Sequence, residues 1–103
     1  MSECGENKAC WSIGKINDKE RVLYEAIQFF GLKRQMTKAI EECGELIVAI
    51  AKDDLPNIAE EIADVRIMLD QIEIMLGIDT GMIRQSKLAR LSQRIRGRTL
   101  GLR

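Results

Sequence analysis

The stretch that decides the fold is residues 35–64, QMTKAIEECGELIVAIAKDDLPNIAEEIAD, which has the pattern of two helices joined by a short turn. Acidic residues recur three apart in each half: Glu42 with Glu45, and Glu61 with Asp64. Residues three apart lie on the same face of an α-helix. An Asp-Asp-Leu-Pro segment interrupts the apolar pattern, and proline is tolerated in the first turn of a helix. The stretch therefore predicts a helical hairpin with a pair of carboxylates on each arm.

The numbering predicts which acids meet, because positions at equal distances from the turn lie opposite each other in an antiparallel hairpin. Glu45 and Glu61 each lie eight residues from Asp53, and Glu42 and Asp64 each lie eleven. Glu45 should therefore face Glu61, and Glu42 should face Asp64, across helix axes about 8–10 Å apart. Four carboxylates at such distances repel one another. Protonation, rotation into water or a bound divalent cation would each relieve the repulsion.

The rest of the chain is also predicted to be helical, since only one proline occurs and 4% of the residues are aromatic. Apolar periodicity predicts four helices, at about 18–30, 32–52, 57–76 and, after a cap at Asp79 or Thr80, to about Ile95. Residues 1–17 lack periodicity and are expected to form a flexible arm. The domain would span 18–95, and 96–103 would be a basic tail. The predicted fold class is an all-α, four-helix, bundle-like domain.

Apolar positions on the two hairpin helices predict the faces that pack. On the second helix they are Met36, Ile40, Cys43, Ile47 and Ile50. On the third they are Ile58, Ile62, Val65, Leu69, Ile72 and Leu76, and further apolar residues outside that stripe are Ile67, Met68, Ile74 and Met75. A helix that is apolar nearly all round needs more cover than three other helices provide. A homo-oligomer, a dimer or a tetramer, is therefore predicted.

The composition limits the chemistry that is open to this chain of 103 residues. Histidine is absent, which excludes Ser-His-Asp and Cys-His catalysis and most catalytic zinc sites. Oxygen-only ligation suits hard cations such as Mg²⁺ or Mn²⁺. The longest apolar run, Leu46–Ala51, is far short of the ~20 residues of a membrane span. The N-terminus is polar without an apolar signal region, so we expect a cytoplasmic protein with no membrane partner.

Charge is segregated along the chain although the net charge is zero. Residues 37–79 contain eleven acids and three bases, whereas residues 81–103 contain seven bases and no acid. An acidic centre followed by a basic end suits a metal bound together with a polyanion. A solvated acidic face with a solvated basic tail would give the same pattern. Nucleic-acid binding by the tail is a weaker alternative, which a steep salt dependence would reveal.

The spaced acids resemble the motif of a known family. Glu-Glu-x-x-Glu at 41–45, followed after fifteen residues by Glu-x-x-Asp at 61–64, is similar to the all-α nucleoside triphosphate pyrophosphohydrolases of the MazG-like type. The resemblance extends over about residues 24–95. It implies an oligomeric enzyme that uses Mg²⁺, with Mn²⁺ as an alternative, to hydrolyse a (d)NTP to (d)NMP and pyrophosphate. Phosphoribosyl-ATP pyrophosphatases share the glutamate motif and remain an alternative, as does a metal-binding helical module without activity.

The resemblance also implies which acids bind the metal, and charge and helical spacing indicate candidates for the other roles. The metal ligands would be Glu42, Glu45, Glu61 and Asp64, and Glu42 or Glu45 would accept the proton of the attacking water. Gln35 and Lys38 share the helical face of Glu42 and are candidate substrate contacts. Lys87 and Arg94 lie with Arg90 on one stripe of the fourth helix and are candidate phosphate contacts. A solvated basic stripe fits that last spacing equally well.

Overall fold

The computed structural model describes residues 18–99, with side chains through residue 97. Over this range the chain forms four helices, α1 (Asp18–Phe30), α2 (Leu32–Ala51), α3 (Leu55–Leu76) and α4 (Gly81–Thr99), and no strand. The predicted all-α class is confirmed. The expected N-terminal arm at 1–17 and the last four residues of the expected tail, 100–103, lie outside the described residues.

The helix ends follow from local sequence signals. Gly31 alone separates α1 from α2, with a φ of 93°, and Gly77 closes α3 in the left-handed conformation at φ 65°. Glycine adopts both conformations without a steric penalty. Pro56 lies in the first turn of α3, as predicted, although the helix already begins at Leu55. The expectation that α4 ends near Ile95 was wrong, because α4 continues to Thr99 through residues that include good helix formers.

The hairpin α2–α3 is the best-packed part of the described chain. Gln35 Nε2 donates a hydrogen bond to Gln71 Oε1 at 2.8 Å, and these residues lie eighteen positions on either side of Asp53. The register predicted from Asp53 is therefore confirmed. Ala39 and Ala49 are buried in α2. Their small side chains leave room for a neighbouring helix to approach closely.

The aliphatic stripe predicted for α2 does not form this interface. Ile40 is 73% exposed, Ile47 is 67% exposed, and Cys43 is exposed. The prediction that this stripe lies in the core was therefore wrong for the single chain. On α3, Met68 is buried although it was placed outside the stripe, whereas Leu69 is 49% exposed. The buried stripe is offset from the most hydrophobic one because its small and polar residues pack between the helices, which leaves the larger aliphatic residues outside.

The other two helices differ in how they meet the hairpin. Helix α1 packs against α2 and α3, buries Leu23 and places Lys19 Nζ 3.5 Å from Asp70 Oδ2. Helix α4 contacts none of α1, α2 or α3 along its described length. Its large apolar residues are all exposed: Met82, Ile83, Leu88, Leu91 and Ile95. None of the helices within residues 18–99 combines the length and apolarity that crossing a membrane requires.

Candidate metal centre

Three carboxylates from the two arms of the hairpin converge. Glu42 and Glu45 lie one turn apart on α2, and Glu61 lies on α3. One oxygen atom from each of the three lies within 4.8 Å of the other two. Glu42 and Glu61 are buried, whereas Glu45 is exposed. The cluster therefore has an interior part in the helix interface and an edge that water and ligands can reach.

Two oxygen atoms of this cluster are buried without a partner. Glu42 Oε1 and Glu61 Oε1 accept no hydrogen bond from any described residue. Burying an ionisable oxygen without a donor or a cation is unfavourable, so such atoms in a native fold call for a ligand. The donor set consists of carboxylate oxygens only, which matches hard divalent cations such as Mg²⁺ and Mn²⁺. The residues present therefore fit a divalent cation.

One cation of the chain lies beside the cluster. Lys38 Nζ is 3.1 Å from Glu42 Oε2, one helical turn away on α2. This hydrogen bond, together with the charge of Glu42, raises the pKa of Lys38 above its ordinary value. A single ammonium group satisfies one oxygen of Glu42 and leaves Oε1 available. The single positive charge of Lys38 therefore does not neutralise three carboxylates.

The shortage of positive charge affects the pKa of Glu61. Its pKa is raised above the ordinary value of 4.5, first by burial and then by the charges of Glu45, Glu42 and Asp64. Burial and neighbouring like charges both disfavour the ionised form of a carboxyl. A divalent cation in the cluster would reverse the effect, because it is the largest local charge wherever it binds. The electrostatics of the metal-free site thus favour cation binding.

Asp64, the fourth predicted ligand, lies outside the three-carboxylate group. It is exposed, one turn after Glu61 on α3, and its charge still acts on the pKa of Glu61. Glu41 and Glu60 are exposed and also lie outside the group. The structure thus brings together three of the four predicted ligands and places the fourth nearby.

The predicted substrate contacts fall into two sets. Gln35 and Lys38 line one cleft of about 1020 Å³. Lys87 and Arg94 lie on α4, which does not contact the hairpin, so the single chain does not bring them to the carboxylates.

Sequence reasoning missed two residues near these features. Asn57 lines a cavity of about 640 Å³ together with Glu45 and Glu61, and it lies one turn before Glu61 on α3. Gln71 is the buried hydrogen-bond partner of Gln35. Its equal distance from Asp53 was a signal that could have found it, whereas the position of Asn57 at the cavity wall depends on how the helices pack.

Comparison with known proteins agrees with this geometry. No curated protein and no solved structure matches the chain. A family model, the MazG nucleotide pyrophosphohydrolase domain, matches residues 30–94. The match covers more than half of the chain, from the end of α1 into α4, and includes all three converging carboxylates. The chain therefore belongs to the MazG nucleotide pyrophosphohydrolase domain family.

Proposed function

We propose that this protein is a Mg²⁺-dependent nucleoside triphosphate pyrophosphohydrolase that converts a (d)NTP into a (d)NMP and pyrophosphate. The observation that carries the proposal is the convergence of Glu42, Glu45 and Glu61 with two buried oxygens that lack a partner. Membership of the MazG domain family supports nucleotide pyrophosphate chemistry at such a site.

The four predicted ligands have distinct surroundings. Glu42, Glu45 and Glu61 would hold the cation, and Asp64 would join them from its exposed position on the same side of α3. Mn²⁺ would serve in place of Mg²⁺, since both prefer oxygen ligands. A cation held there would screen the charge of the phosphates and increase the acidity of nearby water.

The side chains around the cluster would divide the remaining work. Glu42 is buried and already accepts a hydrogen bond from Lys38 through Oε2. Glu45 is exposed at the edge of the cluster, so it is the better placed of the two to accept a proton from the water that attacks the α-phosphorus. Lys38, half exposed beside the cluster, would contact a phosphate oxygen.

We further propose that the enzyme works as a homo-oligomer, a dimer or a dimer of dimers. Helix α4 contacts none of α1, α2 or α3 over its described length, and it carries exposed aliphatic residues together with Lys87 and Arg94. The outer face of α2, with Ile40 and Ile47, is also exposed and aliphatic. Exposed apolar faces of this extent mark protein interfaces. A second copy could cover both faces and bring the basic side chains of its α4 to the phosphates.

Hydrolysis in ¹⁸O-labelled water tests the reaction directly. With Mg²⁺ present, the label should appear in the nucleoside monophosphate and not in pyrophosphate, because attack occurs at the α-phosphorus. EDTA should stop the reaction, and Mn²⁺ should restore it. Orthophosphate with a nucleoside diphosphate would contradict the proposal. Turnover of phosphoribosyl-ATP alone would favour that alternative, and absence of turnover with every nucleotide would favour a metal-binding module.

A further inference from the structure

A cleft lies beside the carboxylates of the candidate metal centre. The cleft of about 1020 Å³ between α1, α2 and α3 is at the upper end of the size range of small-molecule sites, roughly 300–1,000 Å³. One aromatic side chain, three cationic ones and one acidic one line it: Phe30, Lys33, Arg34, Lys38 and Glu41. An apolar ring with an excess of positive charge suits an aromatic anion.

Two buried amides also line this cleft. Gln35 is 6% exposed and Gln71 is 3% exposed. Gln35 Nε2 donates to Gln71 Oε1 at 2.8 Å, and Gln71 Nε2 donates to Met68 Sδ at 3.7 Å. Neither amide has another hydrogen-bond partner among the described residues. Each amide therefore keeps hydrogen-bonding capacity that a ligand can use, since an amide offers two donors and an acceptor with two lone pairs.

The cleft is joined to the candidate metal centre through Lys38. This residue lines the cleft and lies 3.1 Å from Glu42 Oε2. Gln35 and Glu42 are seven residues apart on α2, which is about 10 Å along a helix at ~1.5 Å per residue. That separation is comparable to the length of a nucleoside monophosphate. A nucleotide with its phosphates at the carboxylates can therefore place its base at the two amides.

We propose that the Gln35–Gln71 pair contacts the edge of the base. Because both side-chain amides can rotate by 180° together, the pair accepts amino bases and keto bases. This inference rests on the proposed function. Rotating both amides by 180° preserves the bond between them, with Gln71 now donating to Gln35. The Gln35 atom that faces away from Gln71 then changes from the carbonyl oxygen to the amide nitrogen. Only the weak contact with Met68 is lost. Phe30 lies in the same cleft and can stack on a base.

Two variants fix or remove this pair. In Gln71→Glu, residue 71 can only accept, so Gln35 is held in one orientation. In Gln71→Met, the polar pair is lost while the side chain keeps nearly the same shape. The specificity constant kcat/KM is measured for ATP and CTP, which carry an amino group at purine C6 or pyrimidine C4, and for GTP and UTP, which carry a keto group at the same positions. Ile72→Leu, at a half-buried position of α3 that does not line the cleft, is the control for packing.

The unmodified protein should hydrolyse both classes with constants within about tenfold of each other. Gln71→Glu should change the ratio between the classes at least tenfold, whereas Gln71→Met should lower both by a similar factor through KM. Ile72→Leu should stay active and keep the ratio within threefold of the unmodified protein, since it leaves both amides in place. Unchanged ratios in folded, active Gln71→Glu would overturn the inference and leave the proposed function intact.

If no nucleotide is hydrolysed, the proposed function fails and the amide pair is tested separately. Side-chain NH₂ signals of Gln35 and Gln71 are then followed by NMR while CMP and UMP are added. Shifts in both signals with both nucleotides would support the base contact. Signals that do not move with either nucleotide would overturn it.

Discussion

The α2–α3 hairpin and helix α4 share an aliphatic pattern with helical spacing, but they differ in whether they pack against other helices of the described chain. Both carry aliphatic residues at helical spacing, but the hairpin packs within the chain and α4 touches none of the other helices over its described length. The hairpin interface is made of alanines and polar side chains as well as apolar ones, including buried Glu42 and Glu61. The exposed faces of α2 and α4 hold the larger aliphatic residues.

This difference shows that the most hydrophobic stripe is not the one that organises the single chain. Within the chain, small residues allow close helix packing, and the carboxylates occupy positions where a simple bundle would have leucine. The candidate metal centre is thus formed by the α2–α3 hairpin alone. Whether the basic side chains of α4 reach the phosphates depends on what covers the aliphatic face of this helix.

The largest effect should come from removing a carboxylate of the hairpin. Glu45→Gln should lower pyrophosphate release by at least about 100-fold, because it removes both a cation ligand and the proposed proton acceptor. Glu60→Gln is the matched control, since Glu60 is an exposed acid of the same hairpin that lies outside the group and outside the linings of both cavities. It should retain activity within a few-fold. Equal losses in both variants would show that net negative charge matters rather than the cluster.

A double substitution tests whether a second copy of the chain covers the aliphatic face of α4. Leu88→Asp with Leu91→Asp should raise the dissociation constant of the oligomer at least about 100-fold, since two unpaired charges would enter an apolar interface. Sedimentation velocity at micromolar protein measures the shift. Gln85→Asp with Gln93→Asp adds the same charge at exposed polar positions of α4 and should change the constant only a few-fold. An unmodified protein that is monomeric at tens of micromolar would contradict the prediction.

A third pair of variants compares packing in the two regions directly. Ala49→Leu should lower the free energy of unfolding by about 1–3 kcal/mol, because Ala49 is fully buried and the larger side chain has no space. Ala89→Leu on α4 should change it by less than about 0.5 kcal/mol, as expected for an exposed position. Urea unfolding in EDTA measures both. A larger effect at Ala89 would mean that α4 is the more tightly packed region in solution.

The smallest effect concerns the charge of Glu61 in metal-free protein. Because its pKa is raised in the folded state, the folded protein holds this proton more tightly than the unfolded chain does. As the pH rises from 4.5 through the raised value, the unfolded chain loses its proton first, and stability falls. Glu61→Gln should remove this part of the pH dependence. Thermal unfolding between pH 4 and 8 in EDTA tests it, with Glu60→Gln as the exposed neighbour that should keep the slope.

The sequence was sufficient for the features that depend on spacing within one or two helices. Helix number, the breaks at Gly31 and Gly77, and the hairpin register measured from Asp53 follow from local chemistry and are observed. The convergence of Glu45 with Glu61 follows from that register.

Sequence reasoning failed where a result depends on which face of a helix meets which neighbour. Hydrophobicity favoured Ile40 and Ile47 for the interface, yet small and polar residues occupy it. A rotation of one residue, about 100°, separates the two stripes, and composition alone does not choose between them when a second copy can cover either face. The exposure of Asp64 has the same origin, because it depends on the rotation of α3 about its axis.

The three-residue turn at Lys52, Asp53 and Asp54 also limits which insertions and deletions the segment between Glu45 and Glu61 can accept during evolution. Inserting one residue within either arm between Glu45 and Glu61 would rotate the following helix by about 100° and shift it by ~1.5 Å, which would move one wall of the cluster away from the other. The intervening fifteen residues can therefore diverge in identity far more freely than in number. Insertions and deletions should be tolerated before α2 and after α3, and purged between the two acidic motifs.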